Sequence, residues 1–326
     1  MKAIALLSGG LDSMLAVKLI QEQDIEVIGV AFTTPFFGPE KARRAAEQLG
    51  IPLHVIDITD DYIPLLLNPR YGYGRNMNPC IDCHALMLKK AGELMPRLGA
   101  SFVITGEVLG ERPKSQTAQA LHIVARDAGL TGYVLRPLSA KLLPPTVPEE
   151  KGWVDRNRLL AIQGRSRKPQ MALAEQYGLK EYPTPAGGCL LTDPELSRRL
   201  KELLAENPAP AREDLELVKY GRHFRVPPGV RIVVARHERE IEPLLACARP
   251  GDYLLRLKGI PGPRTLVRGK EISAHALRVA GAFTARYSKA RDREKVSILV
   301  QEVGRNGTQE LELEQSEMRE LLASVS

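Results

Sequence analysis

The feature that most restricts this chain stands at its beginning. A short apolar run over residues 2–7 ends in Ser8-Gly9-Gly10-Leu11-Asp12-Ser13, and helical spacing follows at Leu11, Met14, Leu15, Leu19 and Ile20. That pattern predicts a strand, a tight glycine turn and a helix, the opening unit of a parallel sheet wrapped by helices. Two glycines let consecutive N–H groups converge, and the helix start adds its positive end, so the turn forms an anion cradle. Ser8 and Ser13 supply hydroxyl donors, and Asp12 can hold a magnesium ion that bridges phosphates. Neither GxxxxGK[ST] nor GxGxxG is present, which excludes the usual NTPase and dinucleotide loops.

Further strands are predicted over 25–32, 53–58 and 102–105, with a helix over 39–49 that stops at Gly50. The expected fold is therefore α/β, a doubly wound parallel sheet. In such a sheet ligands sit beyond the carboxyl ends of the strands, so Thr105-Gly106-Glu107 belongs to the same crevice as the glycine turn. Residues 68–79 contain Gly and Pro breakers and read as a loop that delivers Cys80. Residues 142–148 read as an extended connector, and a helix fits 155–162 with Asp155 as its cap. A length of 326 residues exceeds what one core usually supports, which implies two domains. Glu206-Asn207-Pro208-Ala209-Pro210-Ala211 looks like the linker, placing the domains at 1–205 and 206–326, the second a smaller α+β domain.

Hydrophobic residues at 44% and charged residues at 26% exclude disorder as the main state. No stretch of about 18 apolar residues suggests a membrane helix, and residues 3–7 are too short for a secretory signal, so the expectation is a cytoplasmic protein with no membrane partner. The charge is +7, and it is uneven: residues 251–300 hold 11 basic against 4 acidic side chains, while the last 26 hold 2 against 6. The positive field thus lies within the C-terminal domain, as a solvated face or one that meets RNA. Arg165, Arg167 and Lys168 crowd three cations into four residues, an exposed turn or a phosphate contact with RNA or ATP.

Four cysteines are too few for a disulfide scaffold. Cys80 and Cys83 stand in Asn78-Pro79-Cys80-Ile81-Asp82-Cys83, and Cys189 follows Pro185-Ala186-Gly187-Gly188. Two cysteines three apart at a helix start can point at one site, where helix polarity is expected to lower their pKa. Three soft sulfurs suit an iron–sulfur cluster with one iron open, or a zinc completed by His84. A thioredoxin-like pair is the rival reading, but it needs neither a third cysteine nor a nucleotide loop. Cys247 reads as a buried small hydrophobe, and His54 as a core residue.

Ser8-Gly9-Gly10-Leu11-Asp12-Ser13 resembles the SGGxDS signature of the PP-loop ATP pyrophosphatases. That resemblance implies a Rossmann-like adenine nucleotide hydrolase fold and cleavage of ATP between its α and β phosphates, with adenylation of a carbonyl oxygen. It implies ATP contacts at Ser8, Gly9, Gly10, Leu11, Asp12, Ser13, Phe32 and Gly106. The NPCxxC and PAGGC motifs are similar to those of the PP-loop tRNA thiolases, in which three cysteines hold a [4Fe-4S] cluster beside the ATP loop. Some 2-thiouridine synthases have Asp where this chain has Cys80, and the chain departs from them toward the three-cysteine pattern.

The implied activity is ATP-dependent tRNA sulfur transfer to a pyrimidine carbonyl. Asp12, Ser13, Cys80, Cys83 and Cys189 would be its catalytic residues, and the three cysteines would also be the metal ligands. ATP, Mg2+ and a [4Fe-4S] cluster, or zinc in its place, would be its cofactors. The implied partners are tRNA, held by Arg165, Arg167 and Lys168 with the basic C-terminal face, and a sulfur donor, either sulfide or a persulfide carrier. The run Gly110-Glu111-Arg112-Pro113-Lys114-Ser115-Gln116 resembles a stretch of the thiolase-like branch and acquires no role from it. Ile232-Val233-Val234-Ala235-Arg236 and Gly262-Pro263-Arg264-Thr265-Leu266-Val267-Arg268-Gly269 resemble the NFACT-R domain of RNA- and ribosome-associated proteins. Two rivals remain: a PP-loop ligase for a small molecule with a structural zinc, and a non-catalytic RNA or ribosome factor. The thiolase expectation requires the three sulfurs to meet beside the nucleotide loop.

Overall fold

A computed structural model describes residues 1–183 and 189–325, in two compact units, Met1–Ser197 and Arg198–Ser326. The Pro185-Ala186-Gly187-Gly188 motif lies outside the described residues. The first unit runs β1 (Lys2–Leu6), α1 (Leu11–Gln21), β2 (Glu26–Thr33), α2 (Glu40–Leu49), β3 (Leu53–Asp57), α3 (Thr59–Leu67), α4 (Cys80–Leu98), β4 (Phe102–Thr105), α5 (Ala118–Asp127), β5 (Val134–Leu135), α6 (Val147–Glu150) and α7 (Lys168–Gln176). Helix α8 (Pro194–Glu206) follows.

Strands β3-β2-β1-β4-β5 form one sheet, and each neighbouring pair is parallel. Both faces are covered, as the alternation along β1 shows. Ala3 and Ala5 join the cluster of α1 and α2 with Leu11, Met14, Leu15 and Ala42, whereas Ile4 joins that of α4 and α5 with Leu88, Ala91 and Val124. The expected doubly wound fold is present. Strand order reverses at β1, so a crevice opens beyond the carboxyl ends of β1 and β4, where Ser8–Ser13 and Thr105–Glu107 begin.

Two local expectations are corrected. Residues 155–162 form no α-helix: Asp155 caps one 3-10 turn, Arg156–Arg158, by accepting from the Asn157 N–H at 2.9 Å. Beyond it Leu159 is fully buried, and the N–H groups of Leu160 and Ile162 donate to the carbonyls of Pro137 and Leu138. Long-range pairing there overrides helix propensity. The connector at 142–148 is not wholly extended either, because Thr146 caps α6 and its N–H donates to the Glu149 carboxylate at 2.7 Å. Thr146-x-x-Glu149 is a capping box, with Pro148 tolerated in the first turn.

The second unit continues with α9 (Arg212–Leu217), β6 (Arg222–Val226), β7 (Val230–Val234), α10 (Ile241–Ala246), β8 (Tyr253–Leu257), β9 (Thr265–Arg268), α11 (Ala274–Arg286), β10 (Lys295–Glu302), β11 (Gln309–Glu314) and α12 (Gln315–Ala323). Its six strands form an antiparallel sheet in the order β11-β10-β8-β9-β7-β6. Val230, Ile232 and Val234 of β7 pack with residues of α11 and α12, and Val233 packs on the opposite face with Leu217 and Leu244. Among the described residues no helix is long and apolar enough to cross a membrane.

Candidate active site

The loop after β1 has the shape that its glycines dictate. Gly9 has φ +74, and a Cβ there would sit 2.3 Å from the Lys41 carbonyl carbon, so no other residue fits. Gly10 caps α1 with no side-chain cap bond, which leaves the first N–H groups of the helix without an internal acceptor. Hydroxyls brace the turn: Ser13 Oγ donates to the Gly10 carbonyl at 2.7 Å, and the Gly10 N–H donates to Ser8 Oγ at 3.2 Å. Gly106, just past β4, presses its backbone on this loop. A Cβ at Gly106 would come within 2.3 Å of the Ser13 nitrogen. Thus β4 closes one side of the cradle, as the crevice argument expected. Phe32 lies in the hydrophobic cluster with Val30, Ile58 and Ile81.

Asp12 occupies a polar pocket with unmet needs. Burial raises its pKa, opposed by Arg167, Gln170 and Arg112. Among the described residues, Asp12 Oδ1, Arg167 Nε and both amide atoms of the fully buried Gln170 lack a hydrogen-bond partner. Buried polar atoms are seldom left so, and a group of them facing one carboxylate marks a place where a polar ligand is due. Glu111 is a second carboxylate here, its pKa raised by burial and then by Asp12. The run at 110–116 therefore has two tasks. Glu111 and Arg112 flank Asp12, while Lys114 Nζ donates to the carbonyls of Gly72, at 2.9 Å, and Tyr73, tying down the 68–79 loop.

All four cysteines are free thiols. Helix α4 begins at Cys80, as expected, and Cys80 Sγ accepts from Asn78 Nδ2 at 3.1 Å. Asp82 accepts from the Arg70 and Tyr71 N–H groups at 2.9 and 3.1 Å, which fixes the loop before the cysteines. The three thiols share one pocket. Burial pushes the Cys83 thiol well above the ordinary range, and Cys189, Cys80 and Asp82 add to it. Burial also pushes Cys189 up to about 11. The Tyr62 hydroxyl is raised as well, by burial and then by Cys83, Cys189 and Cys80. The expected lowering by helix polarity is corrected here for Cys83, since the loss of water outweighs it. Among the described residues no group of three His, Cys, Asp or Glu side chains is arranged to hold a metal ion.

Arg112 weakly opposes the rise in pKa at both Asp12 and Cys189. His84, the zinc candidate, is engaged elsewhere: its Nδ1 lies 2.9 Å from Glu107 Oε1. Burial works against the Glu107 charge, but Arg136 and His84 outweigh it and hold this carboxyl at about 2. An ionised Glu107 makes the imidazole the donor. Glu107 Oε2 accepts from Arg136 Nε at 2.9 Å and from Thr105 Oγ1 at 3.1 Å.

Of the three cations expected to meet RNA, Arg165 and Lys168 are exposed, while Arg167 stands partly buried within reach of Asp12. Sequence reasoning did not single out Gln170, Glu111, Arg112 or the Glu107–Arg136 pair as site residues. The available signal was position, since 110–116 leaves the same strand end as Gly106.

Residues 1–147 match the tRNA methyl transferase HUP domain. Residues 221–324 match the NFACT protein RNA binding domain. The chain is also similar to tRNA-specific 2-thiouridylase MnmA. The protein of that name from Geotalea uraniireducens is 28% identical over 229 residues, covering 62% of this chain and 57% of the relative. That from Clostridium acetobutylicum is 35% identical over 128 residues, covering 32% of this chain and 35% of the relative. This chain thus spans little more than half the length of the first relative and about a third of the second. Among solved structures, a 4-thiouridine synthetase–RNA complex with bound ATP is similar at 21% identity and a TM-score of 0.36, covering 66% of this chain and 53% of that one.

Proposed function

We propose that this protein is an ATP-dependent tRNA thiolase. The observation that carries the reading is the loop after β1, where Gly106 closes on Ser13 and, among the described residues, the buried Asp12 Oδ1, Arg167 Nε and Gln170 amide have no partner. The similarity of the chain to tRNA 2-thiouridylases, and of its second unit to an RNA-binding domain, supports tRNA as the substrate.

In this scheme a pyrimidine carbonyl oxygen attacks the α-phosphate of ATP, pyrophosphate leaves, and the ring carbon carries an AMP leaving group. Hydrosulfide then adds to that carbon and AMP leaves with the oxygen, giving the C=S group. A persulfide carrier supplies the hydrosulfide when a second thiol attacks its inner sulfur, breaking the S–S bond and leaving a disulfide. The first N–H groups of α1, which have no internal acceptor, stabilise charge that develops on the phosphates. Asp12 and Glu111 would hold Mg2+, which needs one or two carboxylates besides phosphate oxygens. Arg112 and Arg167 bind the departing pyrophosphate, and the orphaned amide of Gln170 meets its polar ligand there.

Cys80, Cys83 and Cys189 are soft donors of the kind that hold a [4Fe-4S] cluster, although among the described residues they are not, as they stand, arranged around a metal ion. They would hold a cluster only after drawing together, and it would then supply a place for sulfide-level sulfur. Ligation requires thiolates, so loading would release the protons that burial retains on Cys83 and Cys189.

The deciding experiment is pyrophosphate release by anaerobically purified protein, with and without bulk tRNA. Release that needs tRNA, from brown protein carrying about four irons per chain, is the expected result. Release without tRNA would favour a small-molecule ligase, and colourless protein with one tightly held zinc would remove the cluster.

A further inference from the structure

We propose that RNA docks through unpaired nucleotides in a cleft of the second unit between the end of α11 and α12, with Arg286 and Arg319 as its phosphate contacts. This deepens the RNA reading above and rests on it. The cleft has a volume of about 450 Å3 and is lined by Arg286, Tyr287, Arg291, Met318, Arg319 and Leu322 among others. That volume admits a nucleotide or two.

The acidic C-terminal segment neutralises some cations of the second unit: Lys258 pairs with Glu310 at 2.5 Å, Lys295 with Glu312 at 2.6 Å, and Arg278 with Glu317. Arg268 is buried and spent on Asp214 and Asp252. The cleft holds cations that this neutralisation does not reach. Among the described residues Arg286 and Arg319 make no ion pair, both are exposed, and the sole acid lining the cleft, Asp292, pairs with Arg291 at 3.1 Å. Two guanidinium forks without counterions suit phosphate, which they grip through paired N–H donors.

The floor suits a base. Met318 is buried and Leu322 partly so, giving an apolar wall beside the Tyr287 ring. That ring is held in place: Phe224 stacks on it at 6.0 Å, Arg222 covers it at 4.4 Å, and Phe224 in turn stacks on Phe283 at 3.8 Å. Arg286 also lies over this ring at 6.0 Å. A preordered aromatic wall next to arginines without counterions is the combination that recognises single-stranded RNA, where a base packs while its phosphate is held.

The test is fluorescence anisotropy with full-length protein, using bulk tRNA, a ten-nucleotide oligouridine and an RNA duplex across a salt series. Wild type is expected to bind oligouridine and tRNA more tightly than duplex. The double variant Arg286→Ala/Arg319→Ala should weaken oligouridine binding at least tenfold at low salt and reduce the slope of log K against log salt by about 1.4. Arg286→Lys/Arg319→Lys should retain most of the slope, which separates lost phosphate contacts from lost fold. Equal affinity of wild type and the alanine variant overturns the cleft, as does equal binding of duplex and oligouridine. Wild type that binds no RNA would instead overturn the reading beneath it.

Discussion

Two buried polar clusters stand at the crevice of the first unit, and they are opposite in kind. Around Glu107 the needs are met: Arg136, Thr105 and His84 occupy both carboxylate oxygens, and the acid is held at about 2. Around Asp12 they are not. Oδ1, Arg167 Nε and the Gln170 amide go without partners, and burial raises the pKa. Both clusters contain arginines near a buried carboxylate, so composition does not distinguish them; satisfaction of hydrogen bonds does. The first cluster belongs to the scaffold, fixing β4 to α4 and to the segment that carries Arg136. The second waits for a polar ligand.

The largest test of this contrast is Asp12→Ala. It should lower tRNA-dependent pyrophosphate release by about 10³-fold or more, the scale of removing one preorganised charge partner, with iron content unchanged. Survival of turnover would place Asp12 outside the reaction.

Glu107→Gln should act on stability instead, because it strands a charged Arg136 in the interior. About 3–5 kcal/mol of loss is expected by denaturation. Its pH dependence carries a sign. The carboxyl is depressed in the folded state, so its contribution is complete above the ordinary carboxylate range and fades as pH falls through that range toward about 2. The gap between wild type and Glu107→Gln should therefore be constant from pH 8 to about 5.5 and shrink below about 4.5. A gap that grew in acid would reverse the assignment.

The smallest effect belongs to Asp12→Asn in the ligand-free protein. A raised acid pKa means that the folded state disfavours the charge, so wild type loses stability as pH rises through it. Removing the charge should raise Tm by about 1–2 °C at pH 7 and by nothing near pH 3. A fall in Tm at pH 7 would mean that Asp12 is already paired without ligand.

Much of the architecture was legible in the chain. Short apolar runs marked β1 to β4, and Ser8–Ser13 announced the loop because Gly9 can take its positive φ and no bulkier residue can. Residues 155–162 misled because Leu159, Leu160 and Ile162 have helical spacing, yet the segment near Pro137 offers their backbone a better partner. Thr146-x-x-Glu149 was a readable cap that the prolines concealed. The direction of the Cys83 shift was beyond any motif, since helix position argues one way and desolvation the other.

Local rules thus settled the βα order, the cradle and which residues are chemically able to hold phosphate or sulfur. They act over one or two turns of chain, and periodicity records them. Folding alone decided that Arg112, Arg167 and Gln170 would surround Asp12, and that Arg136 rather than solvent would answer Glu107. Those encounters join residues far apart in the chain through a desolvated interior, where distance and water access determine charge, and neither is written in residue order.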